Sequence, residues 1–156
     1  MEKLDIQISL ESFNNGFGEI YIKFSDYIFP GNKWTDFSEN LLTWWTEEFA
    51  KLLTKKETKA KCGFMDGPVR FDIEVLSGNL WQIQCIREYA DGEECEYKTE
   101  IEALQATESL LQAVEKMLGL FLEKKDKNSF DFLNERKLQL LLAMKKHSAT
   151  SRFRKA

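Results

Sequence analysis

The sequence predicts a single-domain α+β protein, in which an antiparallel sheet of about six strands is covered mainly on one face by helices. Runs that alternate apolar and polar residues predict the strands, and apolar stripes at helical spacing predict the helices. Turn-forming residues join most of the alternating runs, which indicates antiparallel neighbours. The predicted order is ββαββββαα, and helices against one sheet face form a two-layer domain.

The first two strands form a predicted hairpin. From Leu4 to Leu10 every second residue is apolar, which is typical of a strand with one buried face. Asn14-Asn15-Gly16 can turn the chain, because these residue types tolerate positive φ. A second alternating run over residues 20–25 then returns beside the first.

The first helix is unusually aromatic and follows Pro30. Thr35 or Asp36 is its predicted N-cap. Its apolar stripe should face the core and contains Phe37, Leu41, Trp45, Phe49 and Leu52. Trp44 lies about 100° around the axis from Trp45, and Trp34 precedes the helix. The pattern leaves these two tryptophans either in the core or on a partner surface.

Four strands are predicted after this helix. Their alternating runs are Cys62 to Phe64, Val69 to Val75, Trp81 to Cys85 and Glu94 to Thr99. Gly-containing turns separate them, and Asp91-Gly92 is a strong hairpin signal. The four strands should therefore form an antiparallel meander.

Two helices complete the predicted domain. Thr99 and Glu102 form a capping box for a helix that runs to about Lys124. Ser129 is the predicted cap of the last helix. The expected domain covers residues 1–147, and residues 148–156 are expected to be a frayed basic tail.

The charge is unevenly distributed along the chain. Seven of the 22 basic residues and none of the 26 acidic residues lie from Arg136 to Ala156. The rest of the chain therefore carries 15 basic and 26 acidic residues, a net charge of −11. An acidic body with a basic tail can steer charged partners.

Localisation is predicted from cysteine usage and hydropathy. The three cysteines form no C-x-x-C motif and are odd in number, which suits a reducing compartment. Cys85 shares a strand face with Trp81 and Ile83, and Cys62 alternates with Phe64, so both should be buried. Cys95 lies among glutamates and should not be an activated nucleophile. The N-terminus has no secretory pattern and no apolar run could span a bilayer. We therefore expect a cytoplasmic protein with no membrane partner.

No linear motif for catalysis, cofactors or metals is present. His147 is the only histidine, and we find no Gly-rich phosphate loop or metal-ligand spacing. A non-enzymatic protein-binding module is therefore the favoured interpretation, with no cofactor. A carboxylate-based enzyme or ligand-binding protein with its site in a sheet cleft, and a nucleic-acid binder using the basic tail, remain alternatives.

The predicted contact region for a protein partner combines aromatic and acidic residues. Exposed aromatic residues often anchor interfaces, and complementary charge speeds association. The candidate residues are Trp34, Asp36, Trp44, Asp91, Glu93, Glu94 and Glu96.

The chain also resembles a group of small uncharacterised bacterial proteins. The shared pattern is a proline, a W-x-D-F step at 34–37, a tryptophan-bearing helix and a D-G-P turn at 66–68. Its size, acidity and α+β composition are similar to those of immunity proteins from bacterial polymorphic-toxin systems. That resemblance implies a cytoplasmic protein that neutralises a toxin, here one with a basic domain, by binding it.

Overall fold

A computed structural model describes the backbone of residues 1–154 and the side chains through Ala149. The α+β class is confirmed. In chain order the elements are β1 (Asp5–Asn14), β2 (Phe17–Lys23), β3 (Ile28–Phe29), β4 (Thr35–Asp36), α1 (Ser38–Leu53), β5 (Lys59–Gly63), β6 (Val69–Ser77), β7 (Leu80–Tyr89), β8 (Gly92–Glu102), α2 (Ala103–Glu123) and α3 (Lys127–Arg154).

The strands form two antiparallel four-stranded sheets, not one sheet of six strands. In the first sheet β2 lies between β1 and β3 and also pairs with β4, while the second has the order β5-β6-β7-β8. Glu2 links the two sheets through a single parallel bridge to Ile101. The short strands β3 and β4 were not predicted, because two residues are too few to show an alternating pattern.

The predicted hairpin and the predicted meander are both confirmed. Ile6 lies opposite Ile22 in the β1–β2 pair, and the connecting turn has positive φ at Asn15 and Gly16. The strands β5 to β8 pair consecutively and antiparallel. Tight turns leave each strand no other near neighbour along the chain, which is why these pairings follow from sequence.

The core lies between the helices and the apolar faces of both sheets. Trp45 and Phe49 are fully buried, as predicted, and so are Cys62 and Cys85. Burial raises the pKa of both thiols above the ordinary value. The prediction that Phe37 faces the core is wrong, since its side chain is 40% exposed. The helix begins only at Ser38, so Phe37 precedes the helical face on which its spacing appeared to place it.

The predicted caps of the first two helices are wrong. Asp36 lies in β4, and α1 has Phe37 at its N-cap with no side-chain cap. Thr99 lies in β8, and its strand continues to Glu102. The amides at the start of α2 are instead satisfied by Asn79, whose Oδ1 accepts a hydrogen bond from the Leu104 amide at 3.1 Å. Asn79 is distant in sequence, so a local capping pattern could not reveal it.

The last helix also differs from the prediction at both ends. Asp126, rather than Ser129, provides the cap, because its Oδ1 accepts the Ser129 amide at 3.2 Å. The helix continues to Arg154 instead of fraying after His147, and residues 155–156 lie outside the described part of the chain. His147 is 3% exposed, and its Nε2 lies 3.0 Å from Asn79 Oδ1. Burial lowers the pKa of His147.

Hydropathy gives no sign of a transmembrane helix. Within residues 1–154, no helix combines the length and the apolar character needed to cross a bilayer.

Candidate protein-binding surface

The carboxylate of Asp36 joins the end of β4 to the turn between β5 and β6, about 30 residues later in the sequence. Asp36 is fully buried. Its Oδ1 accepts hydrogen bonds from the amides of Phe37 at 2.7 Å and Met65 at 3.2 Å. Its Oδ2 accepts the Asp66 amide at 2.9 Å and the indole N–H of Trp34 at 3.2 Å. Asp36 therefore fastens the turn between β5 and β6, and its burial removes it from any partner surface.

Trp34 packs on the same turn. Gly67 has a φ of +110°, and a Cβ at this position would lie 3.2 Å from the Trp34 ring. On its other side the indole meets Phe64 edge-on, with ring centroids 6.4 Å apart. Trp34 is thus half-buried. The W-x-D-F and D-G-P segments contact each other directly, and we call their contact the Asp36 junction (Trp34, Asp36, Met65, Asp66 and Gly67).

Trp44 lies on the outer face of α1, in contrast to its neighbour. It is 45% exposed, whereas Trp45 is fully buried and donates its indole N–H to the Gly63 carbonyl at 3.0 Å. Asn40, one helical turn before Trp44, makes a 3.7 Å contact with the sulfur of Met65. Met65 is itself 44% exposed. The outer face of α1 therefore adjoins the turn that Asp36 holds.

The acidic residues of the β7–β8 hairpin fall into two groups. Glu93 is exposed and lies 2.9 Å from the guanidinium of Arg70. Asp91 and Glu94 are also exposed, and among the described residues neither forms an ion pair. These two carboxylates are therefore uncompensated charges near the turn of the hairpin.

Glu96 belongs to an internal network. Its carboxylate lies 2.5 Å from Nε of Arg87 and accepts a hydrogen bond from the Tyr27 hydroxyl at 2.7 Å. The bond from Arg87 holds the pKa of Glu96 below its ordinary value. Arg87 also donates to the Pro30 carbonyl at 3.3 Å. Glu96 thus holds β8 against the loop before α1 and offers little free charge to a partner.

The turn between β5 and β6 connects these features. The Glu88 amide, near the end of β7, donates to the Pro68 carbonyl at 2.8 Å. Pro68 directly follows Gly67, on which Trp34 packs. The turn therefore contacts α1 through Met65 and Asn40, and the end of β7 through Pro68 and Glu88. We name the exposed residues of the turn and of the segments that adjoin it the hairpin-end surface; they are Trp44, Met65, Asp66, Tyr89, Asp91, Glu93 and Glu94.

The structure thus divides the seven residues that the sequence singled out. Trp44, Asp91, Glu93 and Glu94 are exposed on the hairpin-end surface. Trp34 and Asp36 instead hold the turn between β5 and β6, and Glu96 bonds to Tyr27 and Arg87 within the chain. Sequence reasoning missed Met65 and Tyr89, which are 44% and 50% exposed. An available signal was that each is a large apolar residue next to a predicted turn.

A concave area lies on the open face of the second sheet. It has a volume of about 240 Å³ and is lined mainly by Lys59, Lys61, Asp72, Glu74, Gln82 and Gln84. Lys59 pairs in register with Glu74, and Lys61 with Asp72. Each acid therefore stands opposite a lysine, which is the arrangement of a charge-balanced sheet face. The described residues contain no group of three or more His, Cys, Asp or Glu side chains that could hold a metal ion.

Compared with known proteins, the chain matches no family model, no curated protein and no solved structure.

Proposed function

We propose that this chain is a non-enzymatic protein-binding module that binds a basic protein through the hairpin-end surface. The observation that carries the proposal is that the turn between β5 and β6, which carries exposed Met65, contacts α1 at Asn40 and the end of β7 at Glu88. Exposed Trp44 and the uncompensated carboxylates of Asp91 and Glu94 therefore belong to segments that adjoin this turn. A few anchor side chains, with Trp among the most frequent, supply most of the affinity at protein interfaces. Surrounding charges of one sign speed encounter with a partner of the opposite sign.

The Asp36 junction supports this proposal by limiting the motion of the surface. Four donors on the buried carboxylate fix the turn that carries Met65 and Asp66. A turn held in one conformation loses less entropy when a partner binds. The junction therefore contributes to binding through preorganisation, without touching the partner.

The resemblance described above suggests the kind of partner. We propose a basic toxin domain, which the module neutralises by covering its functional surface in the cytoplasm. The net charge of −11 before Arg136 is consistent with such a partner. The three free cysteines, of which Cys95 is exposed, fit a reducing compartment.

A capture experiment with a matched variant tests the proposal. The full chain, immobilised at moderate salt, should retain one basic protein in stoichiometric amount from a bacterial lysate, identified by mass spectrometry. Trp44→Ala should weaken binding of that protein by about tenfold or more, as expected for an aromatic anchor. Its melting temperature should stay close to that of the unchanged chain, because Trp44 is 45% exposed.

The control is Leu122→Ala, which removes an apolar side chain that is 64% exposed on α2. This variant should bind the partner as the unchanged chain does. Capture that is insensitive to Trp44→Ala would refute the proposed surface. If Trp44→Ala strongly destabilised the fold, Trp44 would have to be assigned to the core instead.

A further inference from the structure

Helix α3 carries two lengthwise seams with alternating three- and four-residue spacing. The inner seam faces α1 and α2 and includes the buried residues Leu133, Leu140 and His147. The second seam lies on the opposite side, and every one of its residues is exposed. We call it the outer seam; it consists of Asp131, Glu135, Leu138, Leu142, Lys145 and Ala149.

The outer seam has the spacing of a coiled-coil contact. Steps of four and three residues keep one stripe of a helix in contact with a neighbouring helix. Its two central residues, Leu138 and Leu142, are 58% and 54% exposed. Leu141 flanks them and is 39% exposed. These exposed leucines form the apolar centre of the outer seam, and within the described part of one chain no other element covers them.

The order of charges along the seam indicates what covers it. Asp131 and Glu135 precede the leucines, and Lys145 follows them. Leu138 and Leu142 are equally distant from position 140, and so are Glu135 and Lys145. A second copy lying antiparallel, with the two positions 140 opposite each other, would therefore place Leu138 of each copy against Leu142 of the other. Glu135 of each copy would then lie against Lys145 of the other. A parallel copy would instead place Glu135 on Glu135, which is repulsive.

Glu135 remains available for this pairing. Its only ion pair among the described residues is with Arg136 of the same helix, at 3.5 Å, and its side chain is 66% exposed. Exposed pairs of this kind contribute little and exchange readily. No residue of the outer seam belongs to the hairpin-end surface, so the two surfaces can be tested separately.

We propose that two copies of this chain form a two-fold dimer through antiparallel packing of their outer seams. The contact is isologous, since the same residues serve on both copies. From Asp131 to Ala149 the seam is about 27 Å long, at 1.5 Å per residue. Each dimer would present two hairpin-end surfaces.

Sedimentation velocity on the full chain over a concentration series tests this proposal. The unchanged chain should shift from monomer to dimer with a dissociation constant on the order of micromolar, at the weak end of the range for protein interfaces, because the helix-pair contact is small. Leu138→Glu combined with Leu142→Glu should raise that constant by about 100-fold or more, because buried like charges replace the apolar centre. The matched control is Leu122→Glu, at an exposed leucine on α2.

A charge exchange tests the antiparallel register. Glu135→Lys alone places lysine against lysine and should weaken the dimer by about tenfold. Adding Lys145→Glu should restore most of the affinity, because opposite charges then face each other again. Glu108→Lys, on an exposed position of α2, controls for the change in net charge.

Two results would overturn the proposal. The unchanged chain could remain monomeric at about 200 µM, well above the expected dissociation constant. Alternatively, the charge exchange could leave the dimer as weak as Glu135→Lys does, which would rule out the antiparallel pairing. All exchanged side chains are exposed, so circular dichroism should show unchanged helix content, and the charge variants decide the question even if the leucine variant unfolds.

Discussion

Asp36 and the acids of the β7–β8 hairpin carry the same chemical group in opposite environments. Asp36 is fully buried and accepts four hydrogen bonds, whereas Asp91 and Glu94 are exposed and without ion pairs among the described residues. Asp36 binds donors of its own chain, whereas Asp91 and Glu94 are free to form ion pairs with a second molecule. Acidic composition therefore does not locate a partner surface until burial and donors are known.

The largest effect is expected from Asp36→Ala. The variant leaves the amides of Met65 and Asp66 and the Trp34 indole without their acceptor. Hydrogen bonds to a buried charge are costly to remove, so the free energy of unfolding should fall by about 3–5 kcal/mol. Urea unfolding measures the loss, and Asp91→Ala is the control with no measurable change. Equal effects for the two variants would remove the distinction between the two environments.

A smaller loss is expected from Gly67→Ala. The alanine must adopt a φ of +110° and bring its Cβ to 3.2 Å from the Trp34 ring. Such backbone strain costs about 1–3 kcal/mol. The control is Gly63→Ala, where an added Cβ meets no atom within 4 Å. If both variants unfolded at the same urea concentration, Trp34 would not be packed on the turn as described.

The pH dependence should distinguish Glu96 from the exposed acids. The bond from Arg87 lowers the pKa of Glu96 below 4.5 in the folded chain. The folded state therefore binds this proton less readily than the unfolded chain, and its stabilisation is complete above about pH 4.5 and lost as the pH falls through the folded pKa. Since the pair is partly exposed, Glu96→Gln should cost about 1 kcal/mol at pH 7.

Unfolding measurements from neutral pH to about pH 3 give the comparison. The unchanged chain should lose more stability over this range than Glu96→Gln does. Parallel curves for the two proteins would mean that Glu96 has the same pKa in the folded and unfolded chains.

The smallest effect on folding is expected from reversing Asp91 and Glu94 to lysine. Both side chains are exposed, so the midpoint of unfolding should not change. The association rate with the basic partner should fall by about tenfold at low salt, because steering is lost. Surface plasmon resonance at two salt concentrations measures it. Reversal of Glu108 and Glu123 on α2 is the control, and an equal fall there would show that net charge alone determines the rate.

Local patterns predicted the elements well and their ends poorly. Alternation in residues 4–10 and 69–75 identified β1 and β6, because side-chain period and burial coincide there. The cap of α2 was missed because Asn79 supplies it from the turn between β6 and β7. Phe37 was assigned to the core because its spacing was counted from a helix start that the structure places at Ser38.

The candidate surface was only partly predictable for a similar reason. Trp44 and the hairpin acids were identified by residue type, since aromatic and acidic groups are the usual anchors and steering charges of an interface. Helical spacing alone did not decide whether Trp44 is buried or exposed. Met65 became part of the surface only through the turn that Asp36 holds.

The sequence by itself determined the α+β class, the hairpin and the meander that tight turns enforce, and the apolar faces that form the core, because each depends on residues close together along the chain. The tertiary structure alone decided that Asp36 and Trp34 meet the D-G-P turn, that Asn79 caps a distant helix, and that α3 has a second, uncovered seam. These contacts join residues that are far apart in sequence, or depend on which helix face remains open after packing. Burial and hydrogen-bond partners, which give a carboxylate or a leucine its role, exist only once the chain has folded.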